Sequence, residues 1–99
     1  MYDVLIDELV ITEDFESIDN ADRQRILKAI RKKLSIEPEK YGERLKGDLT
    51  GLWKLKVGKY RVVYEIQKEK VLVYVIKVGF RRDYEVYKEL AKRVGEIKK

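Results

Sequence analysis

The 99-residue sequence has no cysteine, no histidine, one proline, one methionine and one tryptophan. Without cysteine there is no disulfide framework, no thiol nucleophile and no zinc site of the usual sulfur type. Without histidine, the side chain that most often moves protons near neutral pH is missing, so other groups must carry any acid–base chemistry. No apolar run reaches the roughly 18 residues of a membrane span, and Met1 leads into Tyr2-Asp3 rather than a basic segment followed by an apolar one. A cytoplasmic protein without metal or cofactor, and with no membrane partner, fits these absences. What the chain has instead is charge: 41% of its residues are charged, and 23 Lys plus Arg against 18 Asp plus Glu leave a net +5. Such a balance fits a polyanionic partner, either nucleic acid or an acidic protein, and equally a basic surface kept for solubility. The length bounds the chain to one domain, residues 1–99.

Tyr2 to Ile6 is an apolar segment suited to a strand, and Thr12 is expected to cap a brief helix whose apolar side is Phe15 and Ile18. Asp19-Asn20 reads as a stop and restart. Beyond it Ile26, Leu27, Ile30 and Leu34 recur at helical spacing, while Arg23, Arg25, Lys28, Arg31, Lys32 and Lys33 face elsewhere, most simply as a solvated helix face. Pro38 ends this helix, and Glu39 to Gly51, with three glycines, reads as a connecting loop. The nearly unbroken apolar run within Lys70 to Val78 predicts a strand covered on both faces, ended by Gly79. Asp83 is expected to cap a last helix with Val86, Tyr87, Leu90, Ala91 and Val94 on one stripe. The order β-α-α-β-β-β-α predicts an α+β single domain, mainly an antiparallel sheet with a helical pair packed on one face.

One segment carries most of the information. Gly58-Lys59 is a two-residue Gly-X hairpin loop, so Val57 should face Tyr60, Lys56 face Arg61, Leu55 face Val62, Lys54 face Val63 and Trp53 face Tyr64. Alternation then puts Trp53, Leu55, Val57, Tyr60, Val62 and Tyr64 on one surface. Lys54, Lys56 and Arg61 fall on the other. Two like charges directly opposite each other cost stability unless an anion sits between them, which reads as a phosphate site. A solvated edge is the ordinary meaning of paired lysines, and the cross-strand arginine is what argues against it.

Leu45-Lys46-Gly47, Trp53-Lys54-Leu55-Lys56, Gly58-Lys59-Tyr60-Arg61-Val62-Val63-Tyr64-Glu65 and Val75-Ile76-Lys77-Val78-Gly79-Phe80-Arg81 through Glu85-Val86-Tyr87 resemble a RelE-type toxin of the RelE/ParE superfamily. The resemblance covers essentially the whole chain, though the hairpin turn is shorter here. It implies the toxin of a type II toxin–antitoxin system, a metal-independent endoribonuclease that cleaves mRNA in the ribosomal A site and is silenced by a cognate RelB-like antitoxin, with a heterotetramer as one possible complex. It also implies that Lys54, Lys56, Arg61, Arg81 and Tyr87 form the catalytic set. Within the family the first lysine is proposed as general base, the second lysine and the hairpin arginine as phosphate stabilisers, the later arginine as general acid, and the tyrosine as a stacking group. Taken alone, Arg81 could merely bond loop carbonyls, and Tyr87 could equally be core. Arg44 and Lys46, in the loop before the hairpin, are candidates for contact with ribosomal RNA, against the default of a solvated loop. ParE-like members of the same superfamily inhibit DNA gyrase without enzymatic activity, and a degenerate member would bind only RNA or antitoxin.

Overall fold

The structure, a computed structural model, describes residues 1–80 together with Leu90, Lys92 and Arg93, with Asp48 followed through its backbone only. Five strands form one sheet: β1 (Asp3–Ile6), β2 (Glu43–Arg44), β3 (Trp53–Val57), β4 (Tyr60–Gln67) and β5 (Leu72–Phe80). Their spatial order is β1-β5-β4-β3-β2. β1 runs parallel to β5, and all other neighbours are antiparallel. The expected α+β layout holds, with one strand more than expected, because β2 lies in what the sequence presents as a loop.

Local chemistry sets the helix ends. Asp7, not Thr12, opens the first helix, α1 (Glu8–Thr12): its carboxylate accepts the Leu9 N–H at 3.0 Å. Thr12 ends this helix, its hydroxyl donating to the Glu8 carbonyl at 3.1 Å, a back-bond that satisfies a threonine without a capping role. A 3₁₀ turn over Asp14–Ser17 follows. Asp19 caps α2 (Asn20–Ala29) by accepting the Asp22 N–H at 2.9 Å, as the sequence suggests, and α2 runs on into a π turn over Ile30–Leu34. Glu37 leaves helical geometry at φ −136°, ψ 71°, as residues before proline do. Pro38 then opens a further turn, α3 (Pro38–Tyr41), at the first helical position where its missing N–H costs nothing.

The apolar hairpin surface meets these helices. Leu55, Val57, Tyr60, Val62 and Tyr64 pack with Val10, Phe15, Ile18, Ile26, Ile30 and Leu34, and Trp53 packs at the margin. A smaller cluster of Leu52, Val63, Ile76 and Leu90 lies on the opposite face, so the sheet is covered in part on both sides. β5 starts at Leu72 rather than Lys70, because Lys68–Lys70 forms a 3₁₀ turn and Val71 takes a left-handed φ of 51°. Gly79 does not end the strand: β4 offers partners further on, so Gly79 pairs opposite Arg61 and Phe80 opposite Tyr60. A bulge between Val63 and Tyr64 shifts the β4–β5 register. Most of the expected last helix, with Asp83, lies outside the described residues, whereas Leu90, Lys92 and Arg93 are helical.

Candidate functional site

The hairpin turns on Gly58 at φ +56°, and Val71 is the one non-glycine residue with positive φ among those described, which leaves Lys59 in ordinary geometry and matches a II′ turn. All five cross-strand pairs fall as the loop length requires, from Val57 opposite Tyr60 to Trp53 opposite Tyr64, with Lys56 directly opposite Arg61. Lys54, Lys56 and Arg61 therefore project from the face opposite the helices. The Lys54 side chain is mostly shielded at 19% exposure, while that of Lys56 is 52% exposed.

The two lysine tips converge on one carboxylate. Glu43 of β2 places Oε2 3.7 Å from the Lys54 ammonium and Oε1 3.8 Å from that of Lys56. The pairing of β2 with β3 sets Glu43 opposite Lys54 and Arg44 opposite Trp53, so alternation sends Glu43 to the lysine face and Arg44 to the other. Sequence reasoning missed Glu43 because a two-residue edge strand has no periodicity to detect. The local signal was Gly42. A Cβ there would lie 1.7 Å from the Tyr64 hydroxyl and 3.1 Å from the Lys54 carbonyl, so only glycine lets β2 close onto β3. The buried Tyr64 hydroxyl beneath it donates to the Pro38 carbonyl at 2.6 Å, and burial raises its pKa.

Two further contacts brace the sheet around the site. Tyr60, at the hairpin tip, donates its hydroxyl to Asp22 of α2 at 2.6 Å; that hydrogen bond, helped by burial and the Asp22 charge, pushes its pKa up to about 12. Lys77 is buried and pairs with Asp14 at 3.1 Å. The same Asp14 carboxylate accepts from the Arg93 guanidinium at 2.8 Å and from the Val78 N–H at 2.9 Å. It thereby ties the helical residues near Leu90 to β5 beside the cationic face.

The structure brings Lys54, Lys56 and Arg61 to one surface. Arg44 is not with them: its guanidinium lies over the Trp53 indole on the far side, 5.1 Å from the ring centroid. Lys46 is exposed just before the 3₁₀ turn Gly47–Leu49. Arg81 and Tyr87 lie outside the described residues. Among the described residues, no group of three or more possible ligands gathers to hold a metal ion, and no helix is long and apolar enough to cross a membrane.

Known proteins share this arrangement of elements. Residues 11–84 match the family of ParE toxins of type II toxin–antitoxin systems, parDE. The chain belongs to that family. Within it, the chain is a RelE-type member of the RelE/ParE superfamily. It is 51% identical over 41 residues to the mRNA interferase toxin RelE of Escherichia coli strain K12, and equally to the mRNA interferase RelE of Shigella flexneri. That stretch is 41% of this chain and 43% of each relative, so the match spans less than half the length of these curated proteins. Among solved structures, the toxin–antitoxin complex RelBE2 of Mycobacterium tuberculosis superposes with a TM-score of 0.75 at 25% identity, over 81% of this chain and 98% of that one. The isolated E. coli RelE toxin gives 0.66 at 29% identity over 95% and 99%. The archaeal RelE–RelB complex of Pyrococcus horikoshii OT3 gives 0.62 at 29% identity over 82% and 96%.

Proposed function

We propose that this protein is the toxin of a type II toxin–antitoxin pair and cleaves mRNA at the A site of the ribosome, in the cytoplasm. The observation that carries this reading is the gathering of Lys54, Lys56 and Arg61 on one sheet face. In the proposed step the 2′-hydroxyl gives up its proton and attacks the neighbouring phosphorus, the bond to the 5′-oxygen breaks, and the departing oxygen takes a proton from solvent, leaving a cyclic phosphate and a free 5′-hydroxyl. The transition state carries extra negative charge on phosphate oxygens, where preorganised cations act most strongly. Lys56 and Arg61 grip the phosphate. Arg81 adds charge stabilisation, since an arginine pKa above about 12 makes it a poor proton donor, and Tyr87 stacks on a base. Exposed ion pairs contribute only about 0–1 kcal/mol each, so an incoming phosphate can take the half-exposed Lys56 tip from Glu43 at little cost.

Family resemblance assigns the proton-accepting role to Lys54. Glu43 lies 3.7 Å from the Lys54 nitrogen and so brings a second proton-accepting side chain to the same face. The position of Glu43 therefore favours a second assignment: Glu43 takes the 2′-hydroxyl proton while Lys54 holds it and the phosphate. The structural neighbours solved as toxin–antitoxin complexes support a RelB-like antitoxin partner whose acidic segment would complement this basic chain.

Toeprinting of a programmed ribosome incubated with the protein tests the reading. Cleavage should map to the A-site codon and proceed far faster than on free RNA, because the ribosome orders the attacking and leaving groups; equal rates would remove the ribosome from the proposal. R61A should slow cleavage by roughly 100-fold or more. Unchanged growth inhibition by R61A would point to a non-enzymatic, gyrase-directed toxin instead. E43Q should slow cleavage by about 10–100-fold if Glu43 accepts the proton, whereas unchanged or faster cleavage returns that role to Lys54.

A further inference from the structure

On the far side of the β2–β3 edge from the lysines lies a cavity of about 580 Å³ whose lining includes Arg44, Trp53, Lys68, Lys70, Glu39 and Glu69. Its volume is within the roughly 300–1,000 Å³ that small ligands occupy. Its wall is a stacked pair, the Arg44 guanidinium over the half-buried Trp53 indole. Its charge is unevenly settled. Lys68 is matched with Glu39 at 2.9 Å, while neither Arg44 nor Lys70 has an ion-pair partner among the described residues. Glu69 offsets one of these two cations, and the surplus positive charge beside the Arg44–Trp53 contact suits an anion that carries a flat ring.

We propose that this cavity binds a nucleotide of single-stranded RNA, its base stacked on the Arg44–Trp53 pair and its phosphate held by Lys70, and that it belongs to the strand whose cleavage is proposed above. Glu43 and Arg44 are consecutive residues of β2 that project to opposite faces, as are Trp53 and Lys54 of β3. The open edge at β2 is thus the route by which one strand reaches both the cationic face and the cavity. The base contact is tolerant of sequence, because every base offers a π-face.

The inference rests on the RNA reading of the site but is read out without cleavage. Trp53 is the single tryptophan of the chain, so its fluorescence reports the cavity directly. Adenosine monophosphate should quench it saturably, with roughly tenfold weaker binding in R44A and in K70A and unchanged binding in K54A/K56A. A 2′-O-methyl oligonucleotide, which lacks the attacking hydroxyl, should bind tighter than the mononucleotide and weaken in both sets of variants. Absence of quenching by either probe overturns the proposal, as does quenching that R44A and K70A leave unaltered. Oligonucleotide affinity indifferent to K54A/K56A would overturn the single-strand path. Quenching by an acidic peptide but not by nucleotides would make the cavity a protein contact instead. If nucleotides bind in this pattern while ribosomal cleavage fails, the cavity stands and the enzymatic reading falls.

Discussion

Replacing Asp14 by Asn should destabilise the protein more than any other polar substitution on the cationic side of the sheet. The carboxylate has 3% side-chain exposure and meets the Lys77 ammonium, itself 7% exposed, and the Arg93 guanidinium, 10% exposed. It also accepts the Val78 N–H, at a point where β1, whose pairing with β5 stops at Val75, no longer covers that edge. The isosteric amide removes the negative charge from between two buried cations, of which Arg93 keeps a 3.9 Å contact with the exposed Glu13 carboxylate. Breaking a buried pair from one side costs about 3–5 kcal/mol, because the remaining charge is desolvated and uncompensated. At roughly 4–8 °C per kcal/mol for a domain of this size, the lower bound of about 3 kcal/mol corresponds to a Tm drop of about 12–24 °C. Thermal melting by circular dichroism measures it, and amide exchange at Val78 should lose protection in the same variant. The control is D14L/K77M/R93M, which buries apolar groups of similar size in place of the charges and should recover much of the loss. A drop in Tm below about 3 °C for D14N, or a triple variant less stable than D14N, would refute the reasoning, since either would mean that the charges are solvated.

Two other consequences can be checked independently. G42A should cost about 1–3 kcal/mol by urea unfolding, the usual penalty of overpacking, because its methyl would displace the Tyr64 hydroxyl; a neutral result would mean that β2 does not close onto β3. The Tyr60 pKa is raised from 10.0 to about 12 in the folded protein, so folding retains that proton and its contribution is fully present below pH 10.0. It is lost as the pH rises to about 12. Y60F should therefore be less stable at neutral pH and lose less stability across that alkaline window; identical slopes for variant and parent would remove Tyr60 as the cause.

Strong local signals were legible in the chain wherever one interaction type dominated. The Gly-X loop dictated the hairpin register, because a two-residue turn permits only one pairing and a slip would bury lysines and expose valines. Asp19 announced the start of α2, and helical spacing picked out Ile26, Ile30 and Leu34 as core. Signals failed where two groups competed for one role. Asp7 displaced Thr12 as the first cap, and Gly79 read as a terminator although β4 supplied partners beyond it. Lys77 looked like surface charge because its partner, Asp14, is 63 residues away in sequence.

Sequence alone determined which side chains share a strand face, and so which cations could meet a phosphate, because side-chain alternation and turn length are properties of neighbouring residues. Only the tertiary structure decided what else meets them. Glu43 comes between the two lysines because Gly42 leaves room for β2 to pack over Tyr64, and Arg44 turns away because its neighbour on the same short strand faces the site. Contacts of that kind depend on where distant segments come to rest, and the energy that settles them comes from burial and pairing across the sheet rather than from local preference.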